Sequence, residues 1–148
     1  MKKNGFTLIE LIAVILIISI IIGIALPRFS GIQDQALVTK AQGELRSIQT
    51  AVESYYMHET PYTYPDTTSN IIADYLINST PQIMSHVILD PFHAGAEYNY
   101  IRSDSERYYV IFSYGLNGSQ DIGGIDDNGK LTGSENDDIF ATNGSGWQ

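Results

Sequence analysis

One apolar run near the start of the chain constrains the fold more than any other feature. Residues 6–26 (FTLIELIAVILIISIIIGIAL) carry a single charged side chain, Glu10, and follow the short basic segment MKKNG. A helix of that length, at about 1.5 Å per residue, spans roughly 30 Å, the thickness of a bilayer's hydrocarbon core. Because Lys2 and Lys3 precede the run, the positive-inside rule predicts a cytoplasmic N-terminus with the rest of the chain across the membrane.

Two general explanations of this run are a signal peptide and an uncleaved single-pass anchor. A signal peptide has an apolar region of about 7–15 residues before its cleavage site, and this run is longer. Neither explanation accounts for Glu10, because a carboxylate inside a membrane helix is costly and should have a partner. Nothing inside the apolar run is expected to pair with it. We therefore expect the partner on another molecule, or at an amino terminus created by cleavage nearby.

The residues around Glu10 resemble a known processing motif. The stretch GFTLIEL at residues 5–11 is similar to the cleavage motif of the type IV pilin superfamily, which includes the pseudopilins of type II secretion. The resemblance implies that a prepilin peptidase cuts between Gly5 and Phe6 and methylates the new amine of Phe6. It also implies that Glu10 pairs with the terminal amine of a neighbouring subunit and sets the axial register of a filament. Opposite charges in an apolar environment attract strongly and are costly when apart, which fits that pairing.

The helix is predicted to continue beyond the apolar run. Pro27 either ends the anchor or kinks a longer helix, and the helical pattern beyond it favours the second. The resemblance agrees, since pilins carry a proline at the matching place. Farther on, apolar residues recur every three or four positions, which predicts one buried helical stripe. That stripe consists of Leu37, Ala41, Leu45, Ile48, Val52 and Tyr55. Because the residue before a proline avoids the helical region, the helix is expected to end at Glu59-Thr60-Pro61.

The predicted fold class is α+β. Residues 1–5 are predicted to form a leader, 6–26 the transmembrane and assembly helix, 27–59 its amphipathic continuation and 60–148 a globular domain. Within that domain, Ser69 is predicted to cap a short helix at 70–77. Residues 97–102 and 107–113 are rich in tyrosine and β-branched side chains, which predicts a hairpin packed on the long helix. Asp90-Pro91-Phe92 resembles the turn before the sheet in major pseudopilins.

Composition narrows the class of protein. The chain has 148 residues, no cysteine and a net charge of −9. Without disulfides, a small domain in an oxidising compartment must be held by packing or by a metal. Many type IVa pilins close their C-terminal loop with a disulfide, so its absence favours the pseudopilins. The acidic balance argues against a nucleic-acid partner, which requires a basic surface.

The C-terminal region combines glycines with clustered acids. Residues 114–147 show little hydrophobic periodicity and would be expected to be disordered alone. However, Ile139, Phe140 and Trp147 are apolar anchors, and the acids at 121, 126–127, 135 and 137–138 would repel one another if folded together. Calcium takes six to eight oxygen ligands and tolerates loop geometry, so these residues predict a calcium loop. A solvated acidic loop is the alternative.

Resemblance supplies candidate calcium ligands. Residues 113–118 (SYGLNG), followed by Asn136-Asp137-Asp138-Ile139, are similar to the calcium loop of major pseudopilins. The implied ligand set is Ser113, Leu116, Asn117, Asp121, Asp137 and Asp138, with Asn117 at the position of a ligand aspartate. A competing pattern puts Asp126, Asn128, Gly129 and Glu135 at positions three, five, six and twelve of an EF-hand loop. Its first position is Gly124, which has no side-chain ligand, and no helices are predicted beside it.

The sequence contains no recognisable catalytic constellation. His58, His86 and His93 are scattered, and no nucleophile elbow, phosphate loop or paired-cysteine motif is present. We therefore expect no catalytic residues and no enzyme activity.

These patterns predict a structural subunit of a type II secretion pseudopilus. Its expected partners are other copies, prepilin peptidase, an inner-membrane assembly platform, minor pseudopilins and, before assembly, membrane lipid. The expected location is the bacterial inner membrane, with a periplasmic domain and a filament in the periplasm or at the cell surface. The alternatives are a type IV pilus subunit for adhesion, motility or DNA uptake, and a monomeric membrane-anchored calcium-binding module.

Overall fold

The computed structural model describes residues 5–147, with side chains described throughout that range except at residues 26–30. The predicted leader therefore lies outside the described residues apart from Gly5, and so does the side chain of Pro27. The chain forms two compact units, residues 1–36 and residues 37–148.

A single long helix, α1, runs from Leu8 to His58 over 51 residues. Its backbone continues through Pro27, as predicted, and it ends one residue before Glu59. In the first unit its described apolar side chains from Leu8 to Ile24 are exposed, because no other described element of that unit covers them. Among the described residues, Leu8–Ala25 is the stretch long and apolar enough to cross a membrane.

In the second unit the predicted helical stripe forms one side of the core. Ala41, Leu45, Ile48 and Val52 are each at most 1% exposed. Tyr55 packs at the margin of that core. Leu37 departs from the prediction, since it is 37% exposed. The period of 3.6 residues thus identifies the buried face correctly over four turns of helix.

The predicted hairpin is confirmed as β1 (Asn99–Arg102) and β2 (Tyr109–Ser113). A third antiparallel strand, β5 (Ile139–Thr142), pairs with the other edge of β2, giving the order β1-β2-β5. A second, two-stranded antiparallel sheet contains β3 (Ile122–Ile125) and β4 (Leu131–Gly133). The architecture is α+β, as predicted.

Strand β2 is buried on both faces because it lies between two hydrophobic clusters. Side chains alternate along a strand, so Tyr109 and Ile111 join the cluster that contains the α1 stripe. Val110 and Phe112 point the other way and pack with residues of β3 and β4. The three-stranded sheet is therefore the middle layer between the helix and the smaller sheet.

The short helix predicted at 70–77 is a single π-helical turn, Ile72–Leu76, and its predicted cap is wrong. Ser69 makes no cap hydrogen bond. Instead, the carboxylate of Glu97 accepts hydrogen bonds from the amides of Ile72 (2.8 Å) and Ala73 (3.2 Å). An acceptor from elsewhere in the domain thus satisfies amides that a turn this short leaves free.

We expect Glu97 to make the stability of the domain fall as pH rises above 4.5. Burial raises the pKa of Glu97 above its ordinary value of 4.5, and the hydrogen bonds from Ile72 and Ala73 oppose that rise only in part. The native state therefore holds this proton more tightly than the unfolded chain. The stability it confers is complete below pH 4.5 and is lost as pH rises through the raised value.

The melting temperatures of the full chain and of Glu97→Gln, measured in detergent micelles from pH 4 to 7, test this expectation. The other carboxyls titrate in both proteins, so their effects cancel in the difference. The melting temperature of Glu97→Gln should rise relative to that of the wild type as pH increases. A difference that moves the other way means that the pKa of Glu97 is lowered in the native state.

Candidate functional sites: the start of the helix and the acidic cluster

The start of α1 is closed by a reciprocal pair of residues, Thr7 and Glu10. The amide and the hydroxyl of Thr7 both donate to Oε2 of Glu10, at 2.8 and 2.7 Å. The amide of Glu10 donates in turn to the hydroxyl oxygen of Thr7 at 3.3 Å. This arrangement is a capping box, in which side chains satisfy amides that the first helical turn leaves free.

The expectation that nothing inside the apolar run pairs with Glu10 is therefore wrong. The signal was present in the sequence, since Thr7 and Glu10 have the Thr-x-x-Glu spacing of a capping box. Thr7 satisfies one carboxylate oxygen but brings no charge. Among the side chains that the structure describes, no cation lies at ion-pair distance from Glu10. The charge of Glu10 therefore remains available to a partner on another molecule.

The residues of the predicted cleavage site lie outside the helix. Gly5 and Phe6 precede α1 and are exposed, and Phe6 is 86% exposed. The Gly5–Phe6 peptide bond is therefore held by no regular hydrogen-bond pattern, which leaves it open to the peptidase that the motif predicts.

The pairing of β2 with β5 creates the second candidate site. Ser113, the last residue of β2, lies opposite Ile139, the first residue of β5. The loop that leaves Ser113 is therefore brought beside the residues that lead into Ile139. In this region the carboxylates of Asp121, Asp137 and Asp138 offer oxygens that all lie within 4.8 Å of one another.

Backbone amides hold two of these carboxylates in place. Oδ2 of Asp138 accepts hydrogen bonds from the amides of Asp121 (2.8 Å) and Ile122 (2.7 Å), where β3 begins. Oδ2 of Asp137 accepts one from the amide of Asn117 at 2.7 Å. Gly115 has a φ of 64°, and a Cβ at that position would overlap the carbonyl oxygen of Asp137. Glycine is therefore required where the loop passes Asp137.

The remaining oxygens of this acidic cluster, Asp121, Asp137 and Asp138, fit a bound cation. Oδ1 of Asp137 and Oδ1 of Asp138 are buried without a hydrogen-bond partner. Burial raises the pKa of Asp138, and the charges of Asp121 and Asp137 raise it further, against the opposing hydrogen bonds from Ile122 and Asp121. Half-buried carboxylates that repel one another are stabilised by a cation, and an all-oxygen donor set suits calcium.

The other predicted calcium ligands are placed differently. The hydroxyl of Ser113 is buried and donates to Oδ1 of Asp90 at 2.7 Å, so that side chain is engaged elsewhere. The side chain of Leu116 is 54% exposed. Asn117 donates to Asp121 at 3.0 Å, and its own oxygen accepts from the amide of Ser119 at 2.6 Å. The structure thus gathers Asp121, Asp137 and Asp138 from the predicted set.

The competing EF-hand pattern begins at Gly124 in β3, has Asp126, Asn128 and Gly129 in the turn before β4, and ends at the exposed Glu135 after β4. Oδ1 of Asp126 accepts hydrogen bonds from the amides of Asn128 (2.9 Å) and Lys130 (2.8 Å). Gly129 has a φ of 79°, as a tight hairpin turn requires. Asp126 therefore stabilises a turn, and these residues do not resemble the helix-flanked loop of an EF-hand.

A long helix with an apolar start, its capped acid and a small antiparallel sheet define a pilin-like subunit. Comparison with known families agrees: residues 1–26 match the prokaryotic N-terminal methylation motif, and residues 28–133 match type II secretion system protein G. The chain belongs to the type II secretion system protein G family. This is a family of structural pseudopilin subunits, and its apolar N-terminal helix indicates membrane anchoring.

Individual relatives support the same assignment. The type II secretion system core protein G of Pseudomonas aeruginosa is 27% identical over 146 residues, covering 91% of this chain and 97% of the relative. Its counterpart from Dickeya chrysanthemi is 25% identical and covers 81% of this chain and 82% of that protein. The fimbrial protein EcpB of Eikenella corrodens is 47% identical over 57 residues, covering 38% and 36% of the two chains. No solved structure matches the chain significantly.

Proposed function

We propose that this chain is the repeating subunit of a pseudopilus for type II protein secretion. The observation that carries the proposal is the match to protein G over residues 28–133, directly after a methylation motif at residues 1–26. On this proposal prepilin peptidase cuts between Gly5 and Phe6 and methylates Phe6. The subunit waits in the inner membrane with a cytoplasmic N-terminus, and then joins a filament built on an assembly platform with minor pseudopilins.

Assembly uses the start of α1. The free carboxylate charge of Glu10 pairs with the methylated amine of Phe6 on a neighbouring copy and sets the axial register. The capping box contributes by fixing the Glu10 side chain at the first helical turn while the subunit is alone in the bilayer. Bundling then covers the apolar side chains between Leu8 and Ala25, which the single chain leaves exposed.

We also propose that the acidic cluster binds calcium. Asp121, Asp137 and Asp138 would supply carboxylate oxygens, and Ser113, Leu116 and Asn117 would complete the set through main-chain or amide oxygens. A bound calcium ion supplies the positive charge that lets the three acids remain ionised together. It would thereby hold the loop after β2 against the start of β5.

The mass of the mature N-terminus tests the processing step. The protein extracted from native membranes should begin at an N-methylated Phe6. Its mass should be lower than that of the full chain by residues 1–5 and higher by one methyl group. Gly5→Leu should keep the leader, because the peptidase motif requires glycine before the cut. A mature protein that still begins at Met1 contradicts the proposal.

The pilin relatives support a second candidate function, a type IV pilus subunit. The fimbrial and pilin matches reach 36–47% identity but cover only 35–42% of this chain, whereas the protein G matches cover 80–91%. The protein G matches extend beyond α1 into the globular domain, as the family model does over residues 28–133, and therefore favour secretion. Deleting the gene in the native bacterium should stop protein secretion and leave surface motility and adhesion intact. The reverse result favours the pilus.

A further inference from the structure

A groove of about 340 Å³ lies between α1 and β5 in the second unit. Its helix side consists of Gln42, Leu45 and Arg46, and its strand side of Asp138, Ile139, Phe140 and Ala141. This volume is at the lower end of the usual range for ligand pockets, about 300–1,000 Å³. It suits a few side chains of a partner.

The strand side of the groove is the free edge of the three-stranded sheet. In an antiparallel ladder, alternate residues direct both backbone groups to the same side. Gln49 donates to the carbonyl oxygen of Thr142 at 3.0 Å, which shows that Thr142 directs its backbone groups away from β2. Phe140, two residues earlier, therefore directs its amide and carbonyl into the groove. Unpaired edge groups of this kind are ready to bond with another chain.

The helix side of the groove contributes an unpaired cation. The guanidinium of Arg46 has no hydrogen-bond or ion-pair partner among the described side chains, although the chain carries a net charge of −9. Asp138, at the other side of the groove, accepts two amide hydrogen bonds through Oδ2 and forms no ion pair with Arg46. An arginine fork recognises a carboxylate from outside, so the groove is complementary to an acidic partner.

The same domain carries a matching acid at the opposite end of its sheet. Asp104 lies in the turn between β1 and β2, next to the Arg102–Tyr109 pair, whereas the groove lies near the Ser113–Ile139 pair. Asp104 is exposed and has no hydrogen-bond or ion-pair partner among the described residues. A contact between opposite ends of two copies is heterologous, and repeating it produces an open helical array rather than a closed dimer.

We propose that the groove receives the β1–β2 turn of a second copy, with Asp104 of that copy paired to Arg46 and the turn bonded to the backbone of Phe140. The inference rests on the proposed filament function. Gln42 and Arg46 belong to the same helix, α1, as the proposed assembly segment Leu8–Ala25. The contact would fix the axial position of one globular domain relative to the next, independently of the pairing at Glu10.

Charge reversal in the full chain, expressed in the native bacterium, tests the proposal. Arg46→Glu and Asp104→Lys should each lower the yield of sheared filaments at least fivefold, since each places like charges together. The double variant restores the pair with its charges exchanged and should regain at least half of the wild-type yield. Lys130→Glu, which reverses an exposed cation outside the groove, is the matched control and should assemble normally. Unchanged melting temperatures in micelles show that each variant folds.

A disulfide cross-link tests directly which segment occupies the groove. The chain has no cysteine, so Gln42→Cys and Asp104→Cys introduce the only thiols. Mixed copies carrying one thiol each should form a disulfide in filaments and not in dispersed monomers. If the wild type forms no filaments, the proposed function fails. If the wild type and both single variants assemble alike, or if a photoreactive group at residue 42 captures another segment or another protein, only this inference is overturned.

Discussion

Replacing Glu10 by glutamine should abolish filament assembly while leaving the subunit processed and inserted in the membrane. Glutamine has the same shape and can still accept the hydrogen bonds from Thr7, so the capping box survives. What it removes is the negative charge. If that charge pairs with the amine of a neighbouring Phe6, sheared filaments should fall below detection, with the amount of membrane-bound subunit unchanged.

A matched variant separates the charge of Glu10 from its role in the cap. Thr7→Val removes the hydroxyl that bonds to Glu10 but keeps the carboxylate. It should weaken the first turn and leave substantial assembly. Assembly that withstands Glu10→Gln but not Thr7→Val would show that the cap, rather than the charge, is what the filament needs. If neither variant changes function, a monomeric membrane-anchored module is the better description of the protein.

Removing calcium should lower the melting temperature of the protein by on the order of 10 °C. Ligand at a hundred times its Kd stabilises the folded state by about 2.7 kcal/mol, and about 1 kcal/mol shifts Tm by roughly 4 °C or more in a domain of this size. The reason is local. Without a cation, Asp121, Asp137 and Asp138 repel one another, and two of their oxygens stay buried without partners. Melting in micelles with calcium and with excess chelator measures the shift.

Two acids of the same region make the calcium test specific. Asp138→Asn removes a charge from the cluster and should abolish most of the chelator effect. Glu135→Gln removes an exposed charge three residues earlier and should keep that effect, because Glu135 lies outside the cluster. Sensitivity that is lost only in Glu135→Gln would favour the EF-hand pattern. An unchanged melting temperature and protease resistance in chelator would rule out a structural calcium ion.

Elements that depend on residues close together in the sequence were predicted correctly. The first part of α1 follows from an unbroken apolar run. Its continuation through Pro27 and the buried stripe from Ala41 to Val52 follow from apolar residues that recur every three or four positions. The hairpin β1–β2 follows from two runs of strand-forming residues around a polar turn. The Thr7–Glu10 cap is equally local, since its Thr-x-x-Glu spacing lies within four contiguous residues.

The strands of the C-terminal region were not predicted, because they are short and rich in glycine. Gly123 and Gly124 occupy half of β3, and β4 has three residues. Ile122, Ile125 and Leu131 mark the buried side of this hairpin, and the Asp-Asn-Gly turn between them was its strongest signal. These strands gain their stability by packing on β2, which no local propensity reports.

The amino-acid sequence by itself determined the anchor, its processing motif, the long helix and the family, since each is written in contiguous residues. Only the tertiary structure decided which acids meet. Asp121 reaches Asp137 and Asp138 because β5 pairs with β2, and Glu97 reaches Ile72 across 25 positions of sequence. Such contacts depend on how the sheet closes against the helix. They depend on the burial of the whole core, and the residues next to a position in the sequence do not indicate which distant residue it will contact.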